Sequence, residues 1–342
     1  MPDIRSYLQQ TFERAGGAIS FEDFMALALY DPEIGYYSAQ IKEVGGSRGD
    51  FATSATLTNA LGKAIAEWIT EEASLYQWDR KIEVIEIGAG NGALAETILK
   101  ETGFWRRKKI RYHIVDVSGP LRTLQQKRLK RFGVTWHENI SAALKQTKGT
   151  AILFSNELVD AFPAKWLCWN EAMWNEVWVA FDSNTGLREE FRSFESQPEV
   201  YSALNIGEPT KGQRIEIQLS YREWLNELDS NWKNGSMLTI DYGGAPEEIY
   251  HRRPGGSVRG YYRQDRVEGG AVYQRIGKQD LTVDVNFTDL QNWGEELKWA
   301  TIGQGTQQQF LAQAGQGMDE MAGHGVGEAF RFLHQRKAAK AD

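Results

Sequence analysis

The feature that most constrains this chain is a short apolar run followed at once by three closely spaced glycines. The run spans residues 82–87, in which four aliphatic residues stand with Glu83 and Glu86, and the glycines are Gly88, Gly90 and Gly92. Glycine adopts left-handed backbone conformations and lets the main chain approach a ligand closely. The pattern therefore predicts a buried strand, a tight turn and a helix that begins at Ala93, with a nucleoside cofactor bound against the turn.

Strands and helices alternate in the residues that follow. Residues 110–117 predict a further strand and the apolar run at 151–154 another buried strand, and Ser118 with Pro120 marks the start of a helix between them. Strands that alternate with helices favour parallel pairing. The predicted fold class is α/β, with a Rossmann-like, mostly parallel sheet.

The sequence predicts three regions along the chain. Residues 1–80 are expected to form an N-terminal helical region that carries a loop at residues 45–51. Residues 81–335 are expected to form the cofactor-binding core. Within this core, residues 164–217 change to a period of two, which is typical of antiparallel strands and predicts a β insertion. Residues 336–342 are predicted to be a frayed tail.

Composition argues against several classes of protein. A net charge of −7 is unfavourable for general affinity to nucleic acid. Cys168 is the single cysteine and the five histidines are scattered, so neither a disulfide nor a metal site is expected. No apolar segment is long enough to span a membrane, and the first residues lack the apolar block of a signal peptide. Together these features predict a cytoplasmic location.

Two cofactor patterns overlap at the glycine turn. Gly88, Gly90 and Ala93 fit the dinucleotide pattern G-x-G-x-x-G/A. Glu86 followed by the three glycines fits the pattern E-x-G-x-G-x-G of proteins that bind S-adenosylmethionine (SAM). A carboxylate at Glu86 would repel a pyrophosphate and would attract the sulfonium and ammonium groups of SAM. We therefore favour SAM, and an NAD(P)-dependent oxidoreductase stays open as the alternative.

Polar residues follow two of the predicted strands. Asp116 is expected to accept hydrogen bonds from both ribose hydroxyls of the cofactor. Asn156 and Glu157 come soon after the strand at 151–154, where ligands bind in open α/β sheets, and Asp160 lies one turn later. We expect these groups to orient an amine or guanidine and to accept its proton. The alternative for Asn156 and Asp160 is that they cap a following helix.

Several sequence blocks, in order along the chain, resemble one family of enzymes. The blocks are residues 19–25, 29–32, 35–37, 49–54, 86–92, 115–118, 156–163, 240–243 and 280–287. In these blocks the chain is similar to the MidA-type SAM-dependent methyltransferases, a family that includes a mitochondrial protein arginine methyltransferase that assists respiratory complex I assembly. The resemblance covers residues 19–315 and implies a class I methyltransferase core with an added helical region and a β insertion.

The resemblance also implies roles for individual residues. The cofactor-binding residues would be Glu86, Gly88, Gly90, Gly92, Asp116, Asn156, Gly49, Phe51, Thr53 and Ser54, of which those at 49–54 would close over SAM. The catalytic residues would be Glu157, Asp160 and Asp50. The implied reaction is N-methylation of an arginine side chain in a protein substrate, which for the family member is a complex I subunit. Methylation of a small molecule or of RNA, and a non-catalytic role in assembly, stay open as alternatives.

The chain departs from the family pattern at a few positions. Ala55 stands where proline is usual, and Gln264 stands where histidine is usual. Val283 and Asp284 stand where alanine and histidine are usual. These departures leave the predicted cofactor site unchanged but weaken any inference about the substrate.

Four tryptophans lie in the predicted β insertion, and they are Trp166, Trp169, Trp174 and Trp178. Aromatic residues in a strand most often belong to the core. A set that projected together from one face would instead form an apolar contact surface. If several of them share a face, we expect a homodimer through the insertion.

Overall fold

The computed structural model describes residues 3–41, 59–76, 81–103, 108–194, 202–251, 253–263, 265–316 and 329–339. The chain divides into two compact units, and each unit contains several segments. The first unit comprises residues 1–41, 159–222 and 244–289, and the second comprises residues 42–158, 223–243 and 290–342. The predicted division at residue 80 follows the order of the chain instead and stays a prediction.

Helices and strands are named here in chain order. The first half contains α1 (Ile4–Arg14), β1 (Ala18–Ser20), α2 (Phe21–Tyr30), α3 (Ala60–Leu75), β2 (Ile82–Ile87), α4 (Ala93–Glu101), β3 (Ile110–Val115), α5 (Gly119–Arg128), β4 (Val134–His137), α6 (Ile140–Gln146) and β5 (Ile152–Asn156). The second half contains β6 (Lys165–Trp169), β7 (Trp174–Asp182), β8 (Gly186–Ser193), β9 (Arg214–Ile217), α7 (Leu219–Asn231), β10 (Gly235–Gly244), α8 (Pro246–Tyr250), β11 (Arg259–Tyr262), β12 (Asp265–Glu268), β13 (Asp280–Thr282), β14 (Val285–Asn286), α9 (Phe287–Glu296), β15 (Ala300–Thr306), α10 (Gln307–Gln313) and β16 (Phe330–Lys337). Within the described ranges, no helix combines the length and the apolar character that a membrane span requires.

The second unit is built on a sheet whose described strands lie in the order β4-β3-β2-β5-β10-β16-β15. β2 pairs in parallel with both β3 and β5, and β10 continues the parallel pairing beyond β5. β16 is antiparallel to both of its neighbours, β10 and β15. The chain order reverses between β2 and β5, and such a switch point leaves a crevice for a ligand beyond the carboxyl ends of the strands. This sheet confirms the predicted α/β fold class.

β2 occupies the middle of this sheet because its residues can be buried on both faces. Val84 and Ile85 point to opposite faces, and both are fully buried. Parallel strands need such cover, since helices pack on both of their faces. On one face, the residues that cover β2 from α3, α4 and α10 are Leu61, Ile65, Leu94, Ile98 and Leu311. Because β2 ends at the glycine turn, packing of the core fixes where the turn lies.

The first unit contains the antiparallel strands that the sequence predicts as an insertion. β7 pairs with β8 along its length, with β6 at residues 174–176, and with β1 at residues 178–180. β9 pairs with β6, and a separate ladder joins β11 to β12 and β13. The sequence analysis did not predict β1, because three residues are too few to show an alternating pattern.

The insertion tryptophans have different environments within the first unit. Trp166 and Trp174 are buried. The Trp166 ring packs against Phe21, with ring centroids 4.8 Å apart. The Trp178 ring is covered by Arg192, whose guanidinium carbon lies 3.4 Å from the ring centroid. At least two of the four tryptophans are therefore core residues, and a homodimer through the insertion stays a prediction.

β16 continues two residues beyond the end that the sequence predicts for the fold. Arg336 lies opposite Ser236 of β10, and Lys337 lies opposite Gly235. The Arg336 guanidinium donates to the buried carboxylate of Glu72, with Nε 2.9 Å from Oε2 and Nη2 2.6 Å from Oε1. The prediction of a frayed tail from residue 336 is therefore wrong for its first two residues, because an ion pair to a buried partner holds the end of the strand.

Candidate cofactor and active site

The three glycines lie where the chain turns from β2 into α4, and each has a left-handed backbone. The φ angles are +73° at Gly88, +53° at Gly90 and +77° at Gly92. A side chain at Gly88 would be strained and would collide with Leu158, since an added Cβ lies 2.7 Å from Leu158 Cδ1. Gly92 is the N-cap of α4 and makes no side-chain capping bond. At these three positions the turn therefore presents main chain without side chains, next to a helix N-terminus.

Glu86 lies two residues before the turn and is buried on the same face of β2 as Val84. The Tyr112 hydroxyl donates to Glu86 Oε2 at 2.8 Å. Burial raises the pKa of Glu86 to about 8, the Tyr112 hydrogen bond opposes this rise, and the negative charge of Asp116 adds to it. Without a nearby cation the carboxyl group is thus protonated at neutral pH. The sequence argument treats Glu86 as a fixed negative charge, and burial corrects that assumption.

Asp116 follows β3 and is also buried. Its Oδ1 accepts from the Ser118 backbone N–H at 2.9 Å, and its Oδ2 accepts from Gln125 Nε2 at 2.6 Å. Burial raises the pKa of Asp116 to about 6, while Ser118, Gln125 and the charge of Arg122 oppose the rise. The group is therefore ionised at neutral pH. A carboxylate has about four lone-pair sites, so these two bonds leave room for two hydroxyl donors.

Asn156 and Glu157 lie at the carboxyl end of β5. Glu157 has a φ of +52°, which is unusual for a residue with a side chain, and its N–H donates to Ile240 O at 2.9 Å. Asn156 Nδ2 donates to Glu157 Oε1 at 3.1 Å. Because a carboxylate accepts hydrogen bonds, this contact fixes the amide orientation and leaves Asn156 Oδ1 as a buried acceptor with no hydrogen-bond partner among the described residues. Strained backbone and an unsatisfied buried acceptor are both typical of ligand sites.

Asp241 of β10 supports the turn from the opposite side of β5 and was not singled out as a site residue by the sequence analysis. Its carboxylate is fully buried, and Oδ2 accepts from the Leu158 backbone N–H at 3.0 Å. This bond holds Leu158 where its side chain lies against Gly88. The sequence feature that could have identified Asp241 is its position as an acidic residue at the end of an apolar strand.

Gln125 is a second residue that the sequence analysis did not identify. It lies on α5 and donates to Asp116 Oδ2 and to the backbone oxygen of Gly90, the latter at 2.9 Å. Leu121, Gln125 and Leu129 share one face of the helical segment, and all three are buried. A glutamine within such an apolar stripe must find buried hydrogen-bond partners. Its position in the stripe is the sequence feature that could have identified Gln125.

Asp160, a predicted catalytic residue, belongs to the first unit. It lies in the single helical turn Val159–Ala161, so the alternative that it caps a following α-helix is wrong. Its backbone oxygen accepts from Val283 N–H at 3.0 Å. Burial raises the pKa of the Asp160 carboxyl, and the positive charge of Arg259 opposes the rise. Arg259 in turn donates to Asp284 Oδ1 at 2.6 Å. Asp284, which stands where the family usually has histidine, is thus held by an ion pair with Arg259.

Five of the predicted site residues lie outside the described residues, and they are Gly49, Asp50, Phe51, Thr53 and Ser54. The departures Ala55 and Gln264 lie outside them as well. The predicted roles of the five site residues stay predictions.

The described groups of the second unit fit SAM. Gly88, Gly90 and Gly92 bring main chain without side chains to the turn, and a Cβ added to Gly88 would collide with Leu158. Asp116 and Asn156 Oδ1 offer acceptors for hydroxyl or ammonium donors, at the ends of the two strands that flank β2. When bound, SAM supplies a methyl group on a positively charged sulfur, and its charge suits a site lined by carboxyl groups.

Comparison with known proteins agrees with this geometry. Residues 64–305 match the family described as S-adenosyl-L-methionine-dependent methyltransferases. The chain belongs to this family. It is thus a SAM-dependent methyltransferase, and SAM is its cofactor. This membership decides against the oxidoreductase alternative.

The methyltransferase is similar to curated proteins of animals. It is 25% identical over 331 residues to the mitochondrial protein arginine methyltransferase NDUFAF7 homologue of Caenorhabditis elegans, covering 88% of this chain and 74% of the relative. It is 24% identical over 336 residues to the human mitochondrial protein arginine methyltransferase NDUFAF7, covering 88% and 71%. The expectation of a cytoplasmic location is contradicted by these relatives, which are named as mitochondrial proteins.

One solved structure shares the fold of this methyltransferase over nearly its whole length. It is a protein of Burkholderia thailandensis that was solved with S-adenosylhomocysteine bound. The TM-score is 0.83 at 23% sequence identity, and the match covers 98% of this chain and 92% of that chain. At this level of identity the likeness shows the fold.

Replacement of Gly88 by alanine is expected to weaken cofactor binding more than an equally strained substitution elsewhere. Gly103 is the matched control, because its φ is +71° and an added Cβ there meets nothing within 4 Å. Both variants should lose about 1–2 kcal/mol of stability from the left-handed backbone. Gly88→Ala should also move Leu158 and weaken binding of S-adenosylhomocysteine about tenfold or more. Urea unfolding measures the loss of stability, and calorimetric titration measures the affinity for S-adenosylhomocysteine. Equal affinities of the two variants would contradict a role of Gly88 in cofactor binding.

Replacement of Glu86 by glutamine is expected to change how stability depends on pH. The folded-state pKa of Glu86, about 8, lies above the ordinary glutamate value of 4.5. The contribution of its proton to stability is therefore complete below the unfolded pKa and is lost as pH rises through the folded pKa. The stability of the wild type relative to Glu86→Gln should fall by a few kcal/mol between about pH 5 and about pH 9.

Urea unfolding at the two pH values tests this expectation. Exposed Glu101→Gln is the control, and its stability relative to the wild type should not change with pH in this way. A constant difference between wild type and Glu86→Gln would show that Glu86 is ionised in the folded protein throughout this range.

Proposed function

We propose that this methyltransferase transfers a methyl group to a guanidinium nitrogen of an arginine in a protein substrate. The relatives reported above are named as protein arginine methyltransferases. The observation in this chain that supports the proposal best is the Glu157 carboxylate, held in a strained backbone conformation at the carboxyl end of β5.

A guanidinium group is recognised by carboxylates, which accept two of its N–H groups in one plane. Glu157 is the carboxylate proposed for this contact. Asn156 donates to its Oε1, so the orientation of the group is defined before an acceptor binds. A carboxylate in this position can also take the proton that the nitrogen loses as it becomes bonded to the methyl carbon.

The remaining contribution of the protein is positional. Methyl transfer from a positively charged sulfur needs a lone pair in line with the breaking bond, and little acid or base catalysis beyond removal of the proton that the acceptor nitrogen gives up. Holding both reactants in this geometry, away from water, supplies much of the rate. Asp50 and Asp160 are proposed as supporting carboxylates, and Gly49, Phe51, Thr53 and Ser54 as residues that close over the cofactor.

The acceptor class is tested with labelled SAM. Purified protein is added to an extract from cells that lack this chain, and the label is followed into protein, RNA and small molecules. Labelled protein is then hydrolysed and its amino acids are separated. Label in methylated arginine is the expected result. Label in RNA, in a small molecule or in a different amino acid would overturn the proposal.

Glu157→Gln is expected to lower turnover at least about a hundredfold, because the amide cannot take a proton from the acceptor. Its affinity for S-adenosylhomocysteine should stay within about twofold of the wild type, since the proposed role of Glu157 concerns the acceptor. Label transfer measures the first quantity and calorimetry the second, with Glu101→Gln as the control. Full turnover by Glu157→Gln with the cofactor still bound would remove Glu157 from this role.

A further inference from the structure

Gln125 is fully buried, and both N–H groups and the oxygen of its amide have partners in the second unit. Nε2 lies 2.6 Å from Asp116 Oδ2 and 2.9 Å from Gly90 O, and Oε1 accepts from the Trp136 indole at 3.1 Å. An indole N–H can only donate, so the amide oxygen must face Trp136. The two N–H groups must then face Asp116 and Gly90. The orientation of this amide therefore follows from its partners rather than from an arbitrary choice of N and O.

We propose that Gln125 is a positioning residue for cofactor binding, which aims the Asp116 carboxylate at the ribose and ties it to the glycine turn. Asp116 follows β3 and Gly90 follows β2, so one amide bonds to both segments that form the nucleoside site. Trp136 on β4 fixes that amide from a third strand. The inference concerns cofactor affinity and holds whatever acceptor is methylated.

Packing around the turn agrees with this role. A Cβ added to Gly92 would lie 3.4 Å from Gln125 Cα and 3.5 Å from its Cγ. Gly92 thus packs against the aliphatic part of Gln125, while the Gln125 amide donates to the backbone oxygen of Gly90. Loss of the amide with the stem retained should therefore disturb hydrogen bonding more than packing.

Charged groups on several elements act on Asp116. Arg122 of α5 favours its ionised form, whereas Glu86 of β2 carries a negative charge that opposes it once deprotonated. His137 of β4 lies beside it, and the His137 backbone oxygen accepts from the Asp116 N–H at 3.2 Å. Gln125 adds a donor to the carboxylate, so its removal should let Asp116 take up a proton at a higher pH.

Gln125→Met retains the length of the side chain and removes both donors. Binding of S-adenosylhomocysteine and of its 2′,3′-dideoxy analogue is measured by calorimetry at about pH 8 and about pH 6. Affinity for S-adenosylhomocysteine should fall about tenfold at the higher pH and further at the lower pH. Affinity for the dideoxy analogue should fall by about twofold or less, because that ligand has no ribose hydroxyls for Asp116 to bind. The control is Gln126→Met, an exposed neighbour on the same helix that should bind as the wild type does.

Gln125→Glu provides a second test that reverses the sign of the pH effect. At high pH two carboxylates would face each other and misplace Asp116, whereas at lower pH they can share one proton. Its affinity for S-adenosylhomocysteine should therefore rise from about pH 8 to about pH 6, while that of the wild type falls.

A purely structural role predicts different results. Equal losses for the ribose and dideoxy ligands at both pH values would overturn the proposal, as would unchanged binding by Gln125→Met. If that variant fails to fold, Trp136→Phe removes the indole donor while the ring bulk remains. Trp136→Phe should then lose affinity for S-adenosylhomocysteine more than for the dideoxy ligand.

Discussion

Parallel pairing of β2 with both β3 and β5 is the constraint on which the rest of the second unit depends. It brings the carboxyl ends of three strands to one edge of the sheet, where the chain order reverses. The glycine turn, Asp116 and Asn156 meet there although they are far apart in sequence. Residues on both faces of β2 are buried, so a shift in register would be opposed by the whole core.

Burial decides how the polar groups at this edge behave. Glu86 and Asp116 are removed from water, which raises both of their pKa values, yet protein donors keep Asp116 ionised at neutral pH. Glu86 accepts a hydrogen bond from the Tyr112 hydroxyl and remains protonated until a positive charge approaches. A bound cation would lower the cost of the negative charge, so the site is adapted to a positively charged ligand even where it is neutral without one.

Much of the site could be predicted because its signals are local in sequence. The strand, glycine turn and polar residue after each strand are adjacent in the chain, and the fold confirms the sheet they imply. β4 and β16 were not predicted, because polar residues interrupt their apolar pattern and partner strands stabilise them instead. The protonation state of Glu86 and the bonds of Gln125 depend on residues from neighbouring strands. Sequence spacing does not contain that information, so both required the three-dimensional structure.

The central claim is that one nucleoside ligand binds across the ends of β2, β3 and β5. Hydrogen–deuterium exchange with and without S-adenosylhomocysteine tests it most directly. Exchange is expected to slow at residues 88–92, 116–118 and 156–158 together, and to stay unchanged in β15, while NADH has no such effect. Protection by NADH alone, or protection by S-adenosylhomocysteine that leaves these three segments unchanged, would contradict the account.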